Sequence, residues 1–401
     1  MSTGVELPPR PPAVPREEFE TRRSAARAIA AEANLDGLLV WGSHTWTWPT
    51  AYLADHRSGM QQQGATTAVT FGDKNFTALV IPVDGDPVLI LDQRVGPGDV
   101  AVDDVRTTAK LVPEVARVLR ATGLDRGTLG IVGEGALLER HRRGIESELG
   151  ARLDLRAADH LIEPLQRIKS PTEQALLRHA SLVGSRWMDA MMAAAEPGRT
   201  EADLVVAGLP VLLHAGGWPN DVVIGSGNPC RPQAARGIPS YNSVRPIERG
   251  DLLRIDGFGP VVDGYGCDLA RSACVGADPT DHQREILEQA VEFIEAIVGR
   301  MRAGITVAEL HAVGVEYLTS RGHPPHGYFE GFWPAFGHQM GMNTEGPFIS
   351  GGVEATLEPG MVMAVEIVMG TPETGGISHE ECVIVHADRV EVITDARKRW
   401  W

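Results

Sequence analysis

Five residues in the last 150 positions of this chain have types and spacings that could do chemistry: Asp256, Asp268, His338, Glu366 and Glu380. Each sits in a short apolar or glycine-flanked segment, where a side chain is expected to be buried. An unpaired carboxylate in such a place would protonate, because desolvating an anion costs several kcal/mol or more. Four carboxylates and an imidazole converging on one cavity therefore imply cations, and together they are the donor set of a two-metal site. The expected cofactor is two divalent metal ions, with Fe, Mn or Co favoured over Zn because the donors are oxygen-rich and lack thiolates. Taken singly, each residue has a commoner structural explanation as a buried group paired with a neighbour; the joint set points to metal.

The local sequence supplies elements to position these side chains. Asp256 closes the run Leu252-Leu253-Arg254-Ile255, turn residues follow at Gly257, Gly259-Pro260 and Asp263-Gly264, and Asp268 opens the next run. That pattern predicts a hairpin bringing the two aspartates together. Glu366 lies inside the otherwise apolar run 361–369, Glu380 precedes Cys382-Val383-Ile384-Val385, and His338 stands between Gly337 and a turn at Gln339-Met340-Gly341. Ser170 and Glu173 form a capping box for a helix through Met192, and further helices are expected at 201–215, 281–302 and 306–319. Upstream, a helix at 16–31, strands at 36–41, 66–71, 76–82 and 88–92, and helices at 112–122 and 134–149 describe an α/β domain. The expected organisation is a flexible Pro-rich arm (1–15), an N-terminal domain (16–160) and a catalytic domain (165–401).

Several of these segments match a known family. Arg167-Ile168-Lys169-Ser170-Pro171-Thr172-Glu173, the Asp256 to Asp268 hairpin ending in Asp-Leu-Ala-Arg-Ser, Gly337-His338, Pro359-Gly360-Met361 and His379-Glu380-Glu381 together resemble the pita-bread superfamily. That superfamily includes methionine aminopeptidase, proline-specific peptidases, creatinase and one type of dimethylsulfoniopropionate lyase. The resemblance implies a creatinase-type N-terminal α/β domain followed by a C-terminal pita-bread α/β catalytic domain. It also implies that Asp256 binds one metal, Asp268 and Glu380 bridge both, and His338 and Glu366 hold the second.

The departures from the peptidase pattern are informative. Peptidases of the superfamily place a histidine seventeen or eighteen residues before the first aspartate, where this chain has Ile238-Pro239-Ser240-Tyr241. They place two more four residues before and seven residues after the metal histidine, where this chain has Pro334 and Glu345. The aspartates are twelve apart instead of the usual eleven, which resembles the sulfoniopropionate lyases. The expected function is therefore a metal-dependent, non-peptidase enzyme acting on a small polar metabolite by β-elimination or C–N hydrolysis. The alternatives are an Xaa-Pro aminopeptidase or prolidase and a non-catalytic binding member. Glu345 is the first candidate base, with Asp263 and His379 behind it, although the lyase base aligns at Thr344.

Substrate-binding candidates follow from aromatics and arginines. Tyr328, Phe329, Phe332, Trp333 and Phe336 crowd five aromatic rings into nine positions just before His338, as a pocket wall or as a hydrophobic plug. Trp46 and Trp48 lie in a loop that creatinase-like dimers often send toward the partner, so a homodimer is expected. Tyr241 replaces part of the lost histidine segment, and Arg231, with Asn228 and Arg236, could meet an anionic group.

Composition limits the partners. A net charge of −16 argues against nucleic acid or an anionic membrane surface, both of which need a basic face. No run approaches a twenty-residue apolar span, and the Pro-rich, charged start has no apolar signal segment. The four cysteines, Cys230, Cys267, Cys274 and Cys382, form no paired motif. A small-molecule enzyme of the reducing cytoplasm is expected.

Overall fold

A computed structural model describes residues 6–44, 46–58, 74–96, 98–150, 152–232, 239–258, 260–328 and 335–401. The chain divides into two compact units, residues 14–166 and residues 1–13 with 167–401.

In the first unit the chain runs α1 (Arg16–Glu32), β1 (Gly37–Ser43), α2 (Trp48–Ala54), β2 (Phe76–Pro82), β3 (Val88–Leu91), β4 (Asp104–Thr107), α3 (Leu111–Ala121), β5 (Gly127–Val132), α4 (Glu139–Leu149), β6 (Leu153–Ala157) and α5 (Asp159–Arg167). The strands form one sheet in the order β4-β3-β2-β1-β5-β6, with β1 antiparallel to β2 and parallel to β5. Gly37-Leu38-Leu39-Val40-Trp41 is a continuous apolar run because β1 is central, and all seven of its residues are buried. The strand expected at 66–71 lies outside the described residues.

The second unit contains α6 (Pro171–Ala193), α7 (Glu201–His214), β7 (Trp218–Pro219), β8 (Val223–Gly227), β9 (Cys230–Pro232), β10 (Leu252–Phe258), β11 (Pro260–Val261), β12 (Asp268–Cys274), α8 (Asp281–Val298), α9 (Val307–Ser320), β13 (Gly337–Met340), β14 (Thr344–Glu345), β15 (Val362–Thr371), β16 (Gly375–Val385) and β17 (Val390–Val392). Its main sheet runs β12-β10-β8-β9-β16-β15-β13-β14, with β17 on β16. The α/β class expected from the sequence is what forms. Among the described residues four helices open on capping boxes: Ser170 with Glu173, as expected, and also Thr200 with Asp203, Thr280 with Gln283 and Thr306 with Glu309. Each satisfies backbone donors that the first helical turn leaves open.

β9 and β16 share a single register pair, Cys230 with Gly375, and β12 also packs against β16. The Asp268 N–H donates to Cys382 Sγ at 3.4 Å, and that thiol donates to the Asp268 carbonyl at 3.1 Å. Residues more than a hundred positions apart are thereby brought face to face. All four cysteines are buried and free.

Candidate metal centre

Strand register places the carboxylates. On the β10–β12 hairpin Asp256 faces Ala270 and Phe258 faces Asp268, so the two aspartates are diagonal neighbours on one face. On β15–β16 Glu366 is directly opposite Glu380. His338 faces Ala364, two residues before Glu366, and so shares the Glu366 face. Gly337 holds φ +142°, and a side chain there would collide with the Ala364 carbonyl oxygen, so only glycine lets β13 approach this closely.

Contact between β12 and β16 then joins the two pairs. Asp268, His338 and Glu380 each offer a ligand atom within 4.8 Å of the others, and all three are buried. His338 Nδ1 lies 3.1 Å from the Gln339 carbonyl, which can only accept, so Nδ1 carries the proton and the Nε2 lone pair points inward. That Nε2 is 3.7 Å from Asp268 Oδ2 and 3.7 Å from Glu366 Oε1.

Burial pushes the Asp268 and Glu380 carboxyls well above the usual range, and the charges of the other carboxylates in the cluster push them further. Burial lowers His338 to about 4, so its imidazole is neutral. Asp268 Oδ1 and Glu380 Oε1 are buried and accept no hydrogen bond. Buried carboxyl oxygens without donors, beside a neutral imidazole, fit a divalent cation. Asp268, His338 and Glu380 could hold it, with Asp256 and Glu366 flanking.

The residues expected as bases are elsewhere engaged. Glu345 is opposite Gln339 across the β13–β14 hairpin, so it shares the face of Gln339 and not that of His338. Its carboxylate is held by Lys169 Nζ at 2.5 Å; burial raises its pKa while the lysine charge pulls it down. Asp263, at the turn with φ +54°, is bonded by Arg10. The Pro-rich arm expected to be flexible thus contributes a contact to the catalytic unit. His379 alternates to the opposite face of β16 from Glu380 and lies 3.3 Å from Glu381. Burial and the charge of Arg271 hold it down to about 4.

The substrate-binding candidates fare differently. Trp48, expected in an exposed loop, begins α2 and is 3% exposed, because α2 packs its rings and methyls into its own unit. Trp46 is 40% exposed. Arg231 and Asn228 are exposed around β9, and Tyr241 is half-buried in the segment before β10. Phe336 is a core plug, packed edge-on against Phe293 and stacked on His311. Trp333, Phe329, Phe332, Pro334 and Arg236 lie outside the described residues.

Two features escaped the sequence reading. Arg254 is buried and bonded to Asp256, and its Nε donates to Ser378 Oγ at 2.9 Å. Its position two residues before Asp256 on a strand, hence on the same face, was the available signal. Arg271, 0% exposed, donates to the Glu380 carbonyl at 2.7 Å and to Glu381 at 3.0 Å from behind the site.

The model of metallopeptidase family M24 matches residues 175–387. The uncharacterized peptidase YqhT of Bacillus subtilis is 30% identical over 241 residues, covering 59% of this chain and 65% of that protein, just under two thirds of its length. The Xaa-Pro dipeptidase of Pyrococcus furiosus is 28% identical over 293 residues, 72% of this chain and 78% of that one. Among solved structures, an Xaa-Pro dipeptidase from Bacillus anthracis superposes with a TM-score of 0.77 at 23% identity, covering 95% of this chain and 99% of that chain. At that identity the likeness shows the fold, the two-domain pita-bread architecture of prolidases. These relatives carry peptidase names, so they favour the metallopeptidase alternative over the lyase likeness expected from the aspartate spacing.

Proposed function

The chain belongs to metallopeptidase family M24, and on that premise we propose that it is a divalent-metal hydrolase cleaving a C–N bond in a small amide, with Xaa-Pro dipeptides the first substrate class to test. The observation that carries this reading is the convergence of three buried donors, Asp268, His338 and Glu380, whose ligand atoms lie within 4.8 Å of one another. A divalent ion held there would polarise a carbonyl oxygen and acidify water, and the hard donor set suits Mn, Fe or Co.

Glu366 is the most accessible of the four carboxylates, its side chain 19% exposed against 4% for Asp268 and 7% for Asp256. It would take the proton from the attacking water and return it to the leaving nitrogen. One group would carry both transfers, since Ile238-Pro239, Pro334 and Glu345 stand where the peptidases place histidines. The bases expected for elimination, Glu345, Asp263 and His379, are held by Lys169, Arg10 and the opposite strand face. A homodimer in which exposed Trp46 meets the partner belongs to the same proposal; a fully active monomer in light scattering would remove it.

The test is release of free amine from Xaa-Pro dipeptides by protein reconstituted with Mn, Fe or Co. Glu366→Gln should lower it by roughly 10²–10⁴-fold. Production of an alkenoic acid from an onium propionate, without amide cleavage, would replace hydrolysis by elimination.

A further inference from the structure

The turn between Asp256 and Asp268 is held by more than its own strands. Val262 and Tyr265 exchange backbone hydrogen bonds of 3.0 Å in both directions. The two residues between them, Asp263 and Gly264, have φ of +54° and +85°, the tight turn whose twist suits a hairpin. Tyr265 Oη donates to Glu173 on α6 at 3.1 Å, and the Gly266 N–H donates to the Gly341 carbonyl at 3.0 Å. The segment Pro8-Pro9-Arg10-Pro11-Pro12 adds a further hold. Arg10 grips Asp263 with two donors: Nε donates to Oδ2 at 2.8 Å, and Nη2 donates to Oδ1. One residue earlier, Pro9 is hydrogen-bonded to His179, which is buried on α6. Proline has no N–H, so its carbonyl accepts and the imidazole donates.

We propose that Arg10 is a positioning residue: through Asp263 the Pro-rich arm straps the hairpin turn and so steadies the carboxylates at its two ends, Asp256 and Asp268. The proposal rests on the metal reading above. Four prolines fix φ around Arg10, so the arm loses little chain entropy on docking. A guanidinium fork on a carboxylate sets direction as well as distance. Asp263 stands five residues before Asp268 and seven after Asp256, and paired strands carry a tilt of the turn back to both. The Arg10 side chain is 65% exposed and that of Asp263 22%, so solvent screens the pair, and the strap is a bias worth up to about fivefold in an equilibrium constant.

The experiment reads backbone amide hydrogen exchange at Val262, Tyr265 and Gly266 in chelator-stripped full-length protein, and then Mn²⁺ affinity by calorimetry. Arg10→Ala should speed exchange at those three amides by about two- to fivefold, leave β15 and β16 unchanged, and weaken Mn²⁺ binding by about two- to fivefold. Asp263→Asn keeps a residue that tolerates positive φ and should match Arg10→Ala in both readouts. The double variant should be no worse than either single one, because both remove the same contact. Unchanged exchange at the turn in Arg10→Ala, effects that add in the double variant, or faster exchange with unchanged Mn²⁺ affinity would overturn the proposal. Wild-type protein that binds no Mn²⁺ would overturn the metal reading with it, whereas unchanged exchange in Arg10→Ala alongside Mn²⁺ uptake by wild type would overturn this inference alone.

Discussion

Glu380 and Glu381 are adjacent glutamates on β16, each 1% exposed, and the two faces of that strand treat them in opposite ways. Glu381 faces a complete set of partners: Arg271 at 3.0 Å, His379 at 3.3 Å and a hydrogen bond from Thr394. Burial alone would raise its carboxyl, but those partners outweigh it and bring it down to about 2. Burial raises the Glu380 carboxyl too, and Asp268, Glu366 and Asp256, all of its own sign, drive it further up. Equal burial of the same residue type thus gives a structural ion pair on one face and a cluster of like charges on the other. What separates a site from a core is which charges are left for something outside the chain to neutralise.

The largest effect that would test this contrast is on metal. Glu380→Gln should abolish tight ion binding, measured by elemental analysis after dialysis, and lower turnover by roughly 10³-fold, equivalent to about 4 kcal/mol. Glu381→Ala should do the reverse: full ion stoichiometry in the folded protein, with stability lower by about 3–5 kcal/mol in urea unfolding, because Arg271 is left buried and unpaired. If both variants lose metal equally, the two faces are not distinct.

The pH dependence separates the faces by sign. The folded value of Glu381 lies below its unfolded value of about 4.3, so its contribution is present above about pH 4.5 and is lost as pH falls toward 2, up to about 3 kcal/mol in all. In chelated protein Asp268 and Glu380 have folded values above their unfolded ones, so their contribution is present below about pH 4 and is lost as pH rises. Chelated Asp268→Asn should therefore be more stable than chelated wild type at neutral pH, with the gain shrinking toward acid, and Glu381→Gln should show the opposite trend. Thermal unfolding across pH for the two variants checks this.

The smallest effect concerns Glu345. Its carboxylate is tied to Lys169 on the far face of β13 from His338, a position expected to anchor the hairpin. Glu345→Gln should lower kcat by less than about tenfold, short of the 10²–10⁴-fold that removal of a general base brings. A larger loss in kcat, with metal retained, would return Glu345 to the chemistry.

Much of this architecture was legible because it is local. The hairpin from Asp256 to Asp268, the capping box at Ser170 and the buried strand around Glu366 follow from alternation, turn residues and end-of-helix chemistry within a dozen positions. Trp48 was misjudged as a loop residue because a helix of seven residues carries too little periodicity to announce itself. The face Glu345 takes was not legible, because distance along the chain from His338 says nothing of it until the hairpin register is known. Arg254 was passed over as part of an apolar run, although its spacing from Asp256 was in plain view.

By itself the sequence determined the donor types, the strands that carry them and the spacing that puts Glu380 on one face and His379 and Glu381 on the other, since alternation along a strand is a property of the backbone. Only the tertiary structure decided which face meets Asp268 and His338, where Arg271 and Arg254 lie, and therefore which buried carboxylates are neutralised from within. Those outcomes depend on strands a hundred residues apart packing at one register, and desolvation makes the charge on each carboxylate a function of what that packing places beside it.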